Sequence, residues 1–258
     1  MIPLSAVIIT KNEADVIANC LDSLAWAAEI VVLDSGSRDA TVEICRGRGC
    51  RVISSPWLGF GPTKQLAVTR ARHDWVLSVD ADEMVSAPLR IQIQETLAAA
   101  PLYSGYRLRR VSSYLGRPIR YSGWQRDFPL RLFDRRRGRF DEAQVHETVQ
   151  LRGAPGTLCG ALLHHPYPTL ESHLTKIPTY ARLGAEKRIA AGKSVGPLDL
   201  ACRGPLKFIK MYLLGQGFRD GIPGLILAGL SGYAVALKYY LAWEMENAQA
   251  QPPKPPGA

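Results

Sequence analysis

Short apolar runs alternate with amphipathic stretches through the first hundred residues. Four runs, Leu4–Thr10, Glu29–Asp34, Arg51–Ser54 and Trp75–Asp80, carry Val, Ile and Leu on both faces, the pattern of strands covered by helices on either side. Between them lie stretches of helical spacing, Glu13–Leu24, Asp39–Arg48 and Lys64–Arg72. Each opens near a polar or acidic residue able to accept from free backbone N–H groups. A further helix is expected after Ser86, with Pro88 in its first turn and Leu89, Ile93 and Leu97 on one face. Strand and helix alternating through short links predict a mostly parallel sheet.

The pattern changes after Pro101. Residues 105–165 read as strands rich in Arg, Gly and Pro, and helical spacing returns from Leu170, where Pro178 is expected to break it. From Gly221 to Leu237 there is no charged residue for 17 positions. A spanning helix needs about 20 apolar residues, and this run holds Pro223 and is flanked by Arg219, Asp220 and Lys238. Tyr233, Tyr239, Tyr240 and Trp243 are residue types that settle at a headgroup boundary. Three readings stay open: an interfacial anchor, a packed helix or a span. The preceding KFIKMYLLGQGFR, basic and aromatic, favours the interface. The Pro-rich end, QPPKPPGA, is expected to be disordered. The chain therefore divides into residues 1–100, 101–168, a helical extension over 169–250 and a tail over 251–258.

Charge adds a second pattern. Thirty-two basic and 23 acidic residues give +9. Between Arg107 and Arg139 stand eleven arginines against Asp127 and Asp134, so this stretch alone carries the whole excess. It points to an anionic partner: nucleic acid, a phosphorylated substrate or an anionic membrane; the plain alternative is a solvated basic face. Five cysteines without a CxxC pair argue against a disulfide framework or a zinc site and for a reducing cytoplasm. The opening MIPLSAVIITK lacks a basic n-region and a small-residue cleavage site, so it reads as a first strand.

Candidate chemistry gathers where the strands end, the rim on which open parallel sheets bind ligands. The first strand runs into Thr10, Lys11, Asn12 and Glu13, the second into DSGSRDAT (34–41), the fourth into Asp80, Ala81, Asp82 and Glu83. Asp80 and Asp82 either project together from an extended chain or flank a turn at Ala81. Both arrangements let oxygens reach one hard divalent ion, Mg²⁺ or Mn²⁺, which relieves the repulsion between the two carboxylates. Glu83 either supports that pair or sits in the first turn of the next helix. Asp39 or Ser37 serves as a helix cap after a turn at Gly36, whereas Asp34 is free to accept from a base N–H or a ribose hydroxyl. GFGPTKQ lacks phosphate-loop spacing, which leaves Lys64 as a point charge near a phosphate or as a surface lysine.

SAVIITKNEADVI, VVLDSGSRDAT and DWVLSVDADE, in this order and spacing, resemble the nucleotide-binding half of family 2 glycosyltransferases. The resemblance implies an α/β fold of the GT-A type, a Rossmann-like sheet flanked by helices, with a C-terminal helical membrane-associating extension. It also implies a nucleotide-diphosphate-sugar donor and a divalent metal. Where the family pattern reads Asp-Asp-Gly-Ser, Ser35 replaces the second Asp. Asp-Ser-Gly-Ser, the RLF, VHE and HHPY elements and GFRDGIPG resemble a narrower subgroup, the lipopolysaccharide core β-1,4-glucosyltransferases, and extend the likeness to about residue 245. By that resemblance Thr10, Glu13 and Asp34 hold the nucleoside, Asp80 lies by the ribose or diphosphate, and Asp82 is the main protein ligand of the metal. In-line, inverting displacement needs a base for the acceptor hydroxyl. FDEAQVHE supplies Glu147 for it, with Asp141 as runner-up, while His146 reads equally as a packed strand residue. By the same resemblance a later histidine, His165 or else His164, completes the metal site; the plain alternative is a histidine pair that only finishes a strand. Arg117, Arg120, Arg126 and Arg131 are then available to an anionic lipopolysaccharide acceptor at the cytoplasmic face of the bacterial inner membrane. The implied reaction is hexose transfer, with UDP-glucose as donor, to an inner-core heptose. Another donor or a lipid-phosphate acceptor on the same fold, and a basic nucleic-acid-binding protein, are the alternatives.

Overall fold

The computed structural model describes residues 2–143 and 147–250. The expectations for His146 and for the tail over 251–258 lie outside the described residues. The chain forms two compact units, Met1–Val111 with Asp127–His165, and Ser112–Arg126 with Pro166–Ala258.

In the first unit the predicted elements are present. Strands β1 (Leu4–Thr10), β2 (Glu29–Asp34), β3 (Arg51–Ser54) and β4 (Trp75–Ser78) line up in the order β3-β2-β1-β4, all parallel. Helices α1 (Ile17–Leu24), α2 (Thr41–Gly47) and α3 (Phe60–Arg70) connect them. Helix α3 begins a turn before the expected Lys64, because Gly59 (φ 99°) turns the chain and Pro62 is tolerated in a first turn. Short β5 (Glu83–Val85) precedes α4 (Ala87–Ala98), so Glu83 belongs to a strand and not to a helix's first turn. Ser86 caps α4 by accepting from Leu89 N–H, and Leu89 and Ile93 are buried. Two cores lie between sheet and helices, one built from Leu4, Ile8, Ile17, Leu21, Leu24, Leu77, Leu89 and Leu108 among others, the second from Val7, Val31, Leu33, Ala67, Val68 and Phe133 among others; at roughly 25 cal/mol per Å² such burial is the main stabilising term.

The second half of the sheet is antiparallel. β8 (Leu130–Asp134) pairs with β4, β6 (Gly105–Tyr114) with β8, and β11 (Gly156–Tyr167) lies between β6 and β5, whose pairing with β11 sets His164 opposite Glu83. Two further strands, β9 (Gly138–Phe140) and β10 (Val149–Leu151), form a separate pair, and β7 (Arg117–Pro118) pairs with β6. In this order β4 and β5 are separated by β8, β6 and β11, about 19 Å on a flat sheet at ~4.8 Å per strand. Yet only residues 79–82 join them, and Glu83 N–H donates to Asp80 O (3.0 Å), closing a tight turn. Two extended steps plus such a turn reach about 14 Å. The sheet must therefore curl, and the acidic turn is its seam.

The second unit is mostly helical: α5 (Leu170–Ala190), α6 (Pro197–Ile209) and α7 (Gly221–Ala250). Thr169 and Ser172 form a capping box at the start of α5. Contrary to expectation α5 runs through Pro178, which is exposed on the helix surface, where water can serve the carbonyl left without a donor. Between α6 and α7 the chain makes a π-helical turn (Lys210–Leu214) and a 3₁₀ turn (Gly217–Asp220). α7 packs against both α5 and α6. Gly204 and Gly232 permit the close α6–α7 approach: a Cβ on Gly204 would meet the Gly232 carbonyl at 3.1 Å. Among the described residues one helical stretch, Gly217–Ala248, is long and apolar enough to cross a membrane.

Candidate functional site

At the tips of β1 and β2, short polar side chains tie two loops together. Asn12, in the left-handed region (φ 56°), accepts from Arg38 N–H (2.7 Å) and donates its own N–H to Ser37 Oγ (2.9 Å). Glu13 N–H donates to Thr41 Oγ1 (2.8 Å). Asp39 accepts from Thr41 N–H and Ala14 N–H (both 3.1 Å), so it supports the start of α2 and also holds the β1 loop. Asp34 has a structural task that the sequence did not disclose: it is buried and accepts from Gly36 N–H (3.0 Å), Ser37 N–H and Ser37 Oγ. Gly36 takes the positive φ (88°) that this turn requires. Thr10 Oγ1 and Ser35 Oγ are buried and have no hydrogen-bond partner among the described residues. Orphaned buried hydroxyls are uncommon and call for an explanation.

The seam between β4 and β5 is built differently, from charges. Lys64 on α3 is 3 % exposed and places its ammonium 2.6 Å from Asp80 and 2.6 Å from Glu147. It is no surface lysine. Strand β8 contributes Arg131, whose guanidinium pairs with Asp80 and with Glu83 (3.1 Å). Strand β6 contributes Arg110, bonded to Glu83 (3.0 Å) and Asp127 (2.7 Å). Glu83 is completely buried and also accepts the Asp80 N–H (3.0 Å), so it locks the turn from within. Burial opposes ionisation of Asp80, but Arg131 and Lys64 outweigh it and hold this carboxyl well below the usual range. Burial likewise disfavours the charged Arg131, yet Asp80 and Glu83 keep its pKa above the ordinary guanidinium value.

Asp82 sits at the outer end of the turn. His164 presents Nε2 at 3.6 Å from its carboxylate, and His165 meets it through the backbone, His165 N–H donating to Asp82 O at 2.9 Å. Asp141 accepts from Ala143 N–H (3.2 Å), Thr148 N–H (3.1 Å) and Thr148 Oγ1 (2.7 Å), and so staples the loop that carries Glu147. That loop lies hard against α3: Gly61 N–H donates to Ala143 O (2.9 Å), and a Cβ on Gly61 would stand 2.1 Å from Asp141 O.

The structure thus brings Lys64, Asp80 and Glu147 to one point, with Asp82 following in the same turn, and gathers Thr10, Glu13 and Asp34 at the neighbouring strand tips. Arg131, expected among the acceptor-facing arginines, is instead 6 % exposed and clamps the acidic turn. Arg110 was not foreseen, while Glu83 takes the first of its two expected roles and supports the acidic turn. A signal for Arg131 existed: it stands inside the apolar run LRLFD, where a charge needs a buried partner.

A curled, half-parallel sheet with carboxylates and unpartnered hydroxyls at its strand ends fits the GT-A type of fold. The glycosyl transferase family 2 profile matches residues 5–149, and the chain belongs to that family. It is a glycosyltransferase. It is 32% identical over 249 residues to the lipopolysaccharide core biosynthesis glycosyltransferase LpsC of Rhizobium meliloti, covering 93% of this chain and 92% of the relative. An uncharacterized glycosyltransferase of Rickettsia bellii is 28% identical over 91% of this chain and 84% of its own. Among solved structures, S. aureus TarS bound to UDP-GlcNAc aligns over 97% of this chain and 93% of its own, at 14% identity and a TM-score of 0.47. Glucosyl-3-phosphoglycerate synthase of Mycobacterium tuberculosis aligns over 43% of this chain and 44% of its own, at 24% identity and a TM-score of 0.36. Neither superposition is close enough to assign a residue's role.

Proposed function

We propose that the protein transfers a hexose, glucose from UDP-glucose, with inversion to an inner-core heptose of lipopolysaccharide at the cytoplasmic face of the inner membrane. The observation that carries the site reading is the convergence of Asp80 and Glu147 on the buried Lys64 ammonium, beside the turn that holds Asp82. The acceptor class rests on the LpsC relative, matched along nearly its whole length.

In this reading Thr10 and Ser35 offer their unpartnered hydroxyls to the nucleoside, while Glu13 and Asp34 shape the pocket rim. The donor set fits a divalent ion. Five carboxylates, Asp80, Asp82, Glu83, Asp127 and Glu147, stand against three cations, Lys64, Arg110 and Arg131, which leaves two negative charges to balance. No group of three or more His, Cys, Asp or Glu forms a metal cluster among the described residues. Mg²⁺ and Mn²⁺ sites of one or two protein ligands completed by substrate phosphates have this form. Asp82 would hold the ion, with Asp80 beside it and the His164–His165 pair as the histidine source. Such an ion, when bound, neutralises charge developing on the leaving diphosphate.

Glu147 is the base. It is 14 % exposed, so its carboxylate is sheltered yet reachable by an acceptor hydroxyl, and the Lys64 ammonium orients it. Asp141, occupied by three loop donors, is the alternative. The test is transfer from a panel of sugar nucleotides to a truncated heptose-terminated acceptor, with UDP binding followed by calorimetry in the presence and absence of Mn²⁺. Glu147→Gln is expected to bind UDP normally and lose turnover by about 10²–10⁴-fold. Near-normal turnover would move the role to Asp141. Asp82→Ala is expected to lose the metal-dependent part of UDP binding; unchanged binding would remove Asp82 from the metal site. Transfer of another sugar, or transfer to a lipid phosphate, would replace the donor or acceptor named here.

A further inference from the structure

Two features that stood apart in the sequence, the middle of the arginine-rich stretch and the apolar C-terminal region, meet within the second unit. Residues 112–126, which hold the end of β6 and β7, pack on the elbow between α6 and α7. Asp220 accepts Arg120 N–H and Tyr121 N–H (both 3.0 Å), and Ser122 N–H donates to Gly215 O (2.8 Å). The Arg219 guanidinium lies 4.5 Å from the centre of the Tyr121 ring. Tyr114 and Ile119 share a buried cluster with Met211, Leu227 and Ala228, so strand excursion and elbow form one body.

That body exposes apolar side chains which its own core does not use. Leu213 is 53 % exposed, Leu214 78 %, Phe218 50 % and Ile222 73 %. Single exposed leucines are ordinary, but four large ones within ten positions at a helical corner are not. Around them Arg117, Arg120, Arg126, Lys210 and Arg219 are also exposed. Asp220 is the one acid in residues 112–126 and 209–222, and backbone N–H groups already occupy both its oxygens. An apolar tip with a purely cationic rim matches an anionic bilayer surface: hydrocarbon below, phosphates above.

We propose that this elbow docks the enzyme on an anionic lipid bilayer, with Leu213, Leu214, Phe218 and Ile222 entering the interface and the arginines meeting lipid phosphates. The membrane contact is then monotopic, with α7 packed against α5 and α6. The inference rests on the reading of the protein as a membrane-surface transferase and adds the surface that makes the contact.

The test is flotation of the full-length protein with vesicles of phosphatidylcholine alone or mixed with phosphatidylglycerol, alongside UDP calorimetry on the same preparations. Wild type is expected to bind the anionic vesicles at least about tenfold more tightly than the neutral ones, and less so as salt rises. The double variant Leu213→Asp/Leu214→Asp is expected to lose vesicle binding by about tenfold or more while binding UDP as wild type does. Arg117→Glu/Arg120→Glu is expected to abolish the preference for anionic vesicles. Undiminished flotation of the leucine variant overturns the proposal, as does retention of wild type in membranes after alkaline carbonate extraction. A leucine-dependent dimer without vesicle binding overturns it too. Loss of flotation in the leucine variant, with no UDP affinity in any preparation, would uphold the docking surface and remove the donor reading instead.

Discussion

The tips of β1 and β2 and the seam between β4 and β5 are both polar rims of one sheet, yet they are held by different forces. At the first rim, neutral or singly charged groups bond backbone N–H groups nearby: Asp34 spans two and three positions, and Asn12 and Asp39 reach the adjacent loop. Each bond is worth about 1 kcal/mol and sets loop shape. At the seam, full charges are largely buried and paired across 16 to 83 positions of sequence. Pairs of this kind add little net stability when complete but are costly to break, because the remaining charge is stranded. The first rim is a template that needs no ligand to keep its shape. The seam is a charge balance that an incoming diphosphate and cation would redistribute.

Breaking the seam should therefore cost more than breaking the rim. Arg131→Met leaves Asp80 and the buried Glu83 short of a partner, and a loss of about 3–5 kcal/mol in urea unfolding is expected. A loss below about 1 kcal/mol would mean that the ion pairs do not hold the turn. Gly61→Ala tests the same seam through packing. Its Cβ would collide with Asp141 O, and because that neighbour is backbone the whole loop must move; about 1–3 kcal/mol of stability should go, with the placement of Glu147 and hence turnover. At the rim, Asp39→Ala removes the acceptor for Thr41 and Ala14 N–H and should cost only about 0.5–2 kcal/mol. If it cost as much as Arg131→Met, the contrast between the two regions would fail.

The same contrast explains what could be read in the sequence. Strands β1 to β3 and the core face of α4 follow local periodicity, and their bounds could be read from the apolar pattern alone. Asp80, Asp82 and Asp34 were legible as strand-end acids. Their partners were not, because nothing in the sequence near Lys64 records that Glu147 lies 83 positions away on a loop packed against the same helix. For Glu83 the sequence left two readings, support of the acidic pair or a helix's first turn, and tertiary pairing with β11 decided for the first. At Pro178 the local rule failed for a related reason: an exposed helix surface with water for the freed carbonyl tolerates what an interior helix would not. The antiparallel half of the sheet was readable as strands but not as topology, which depends on the curl.

The smallest effect, and the most specific, concerns acid. Because Arg131 and Lys64, against the opposing effect of burial, depress the folded-state pKa of Asp80 below its unfolded value of about 3.9, the folded protein holds this proton less readily than the unfolded chain. The stabilisation from Asp80 is thus fully present above about pH 4 and drains as the pH falls towards the folded-state value. Near neutrality the group adds no slope. Urea unfolding from pH 6 down to pH 3 should show wild type losing stability more steeply than Asp80→Asn, which has no proton to take up at that position. Asp22, Asp39, Asp134 and Asp199, also held low by local partners, remain in both proteins and cancel in the difference. Parallel curves would mean that Asp80 shares its charge with solvent rather than with Lys64 and Arg131, and the seam would then be no more than a polar rim like the one beside it.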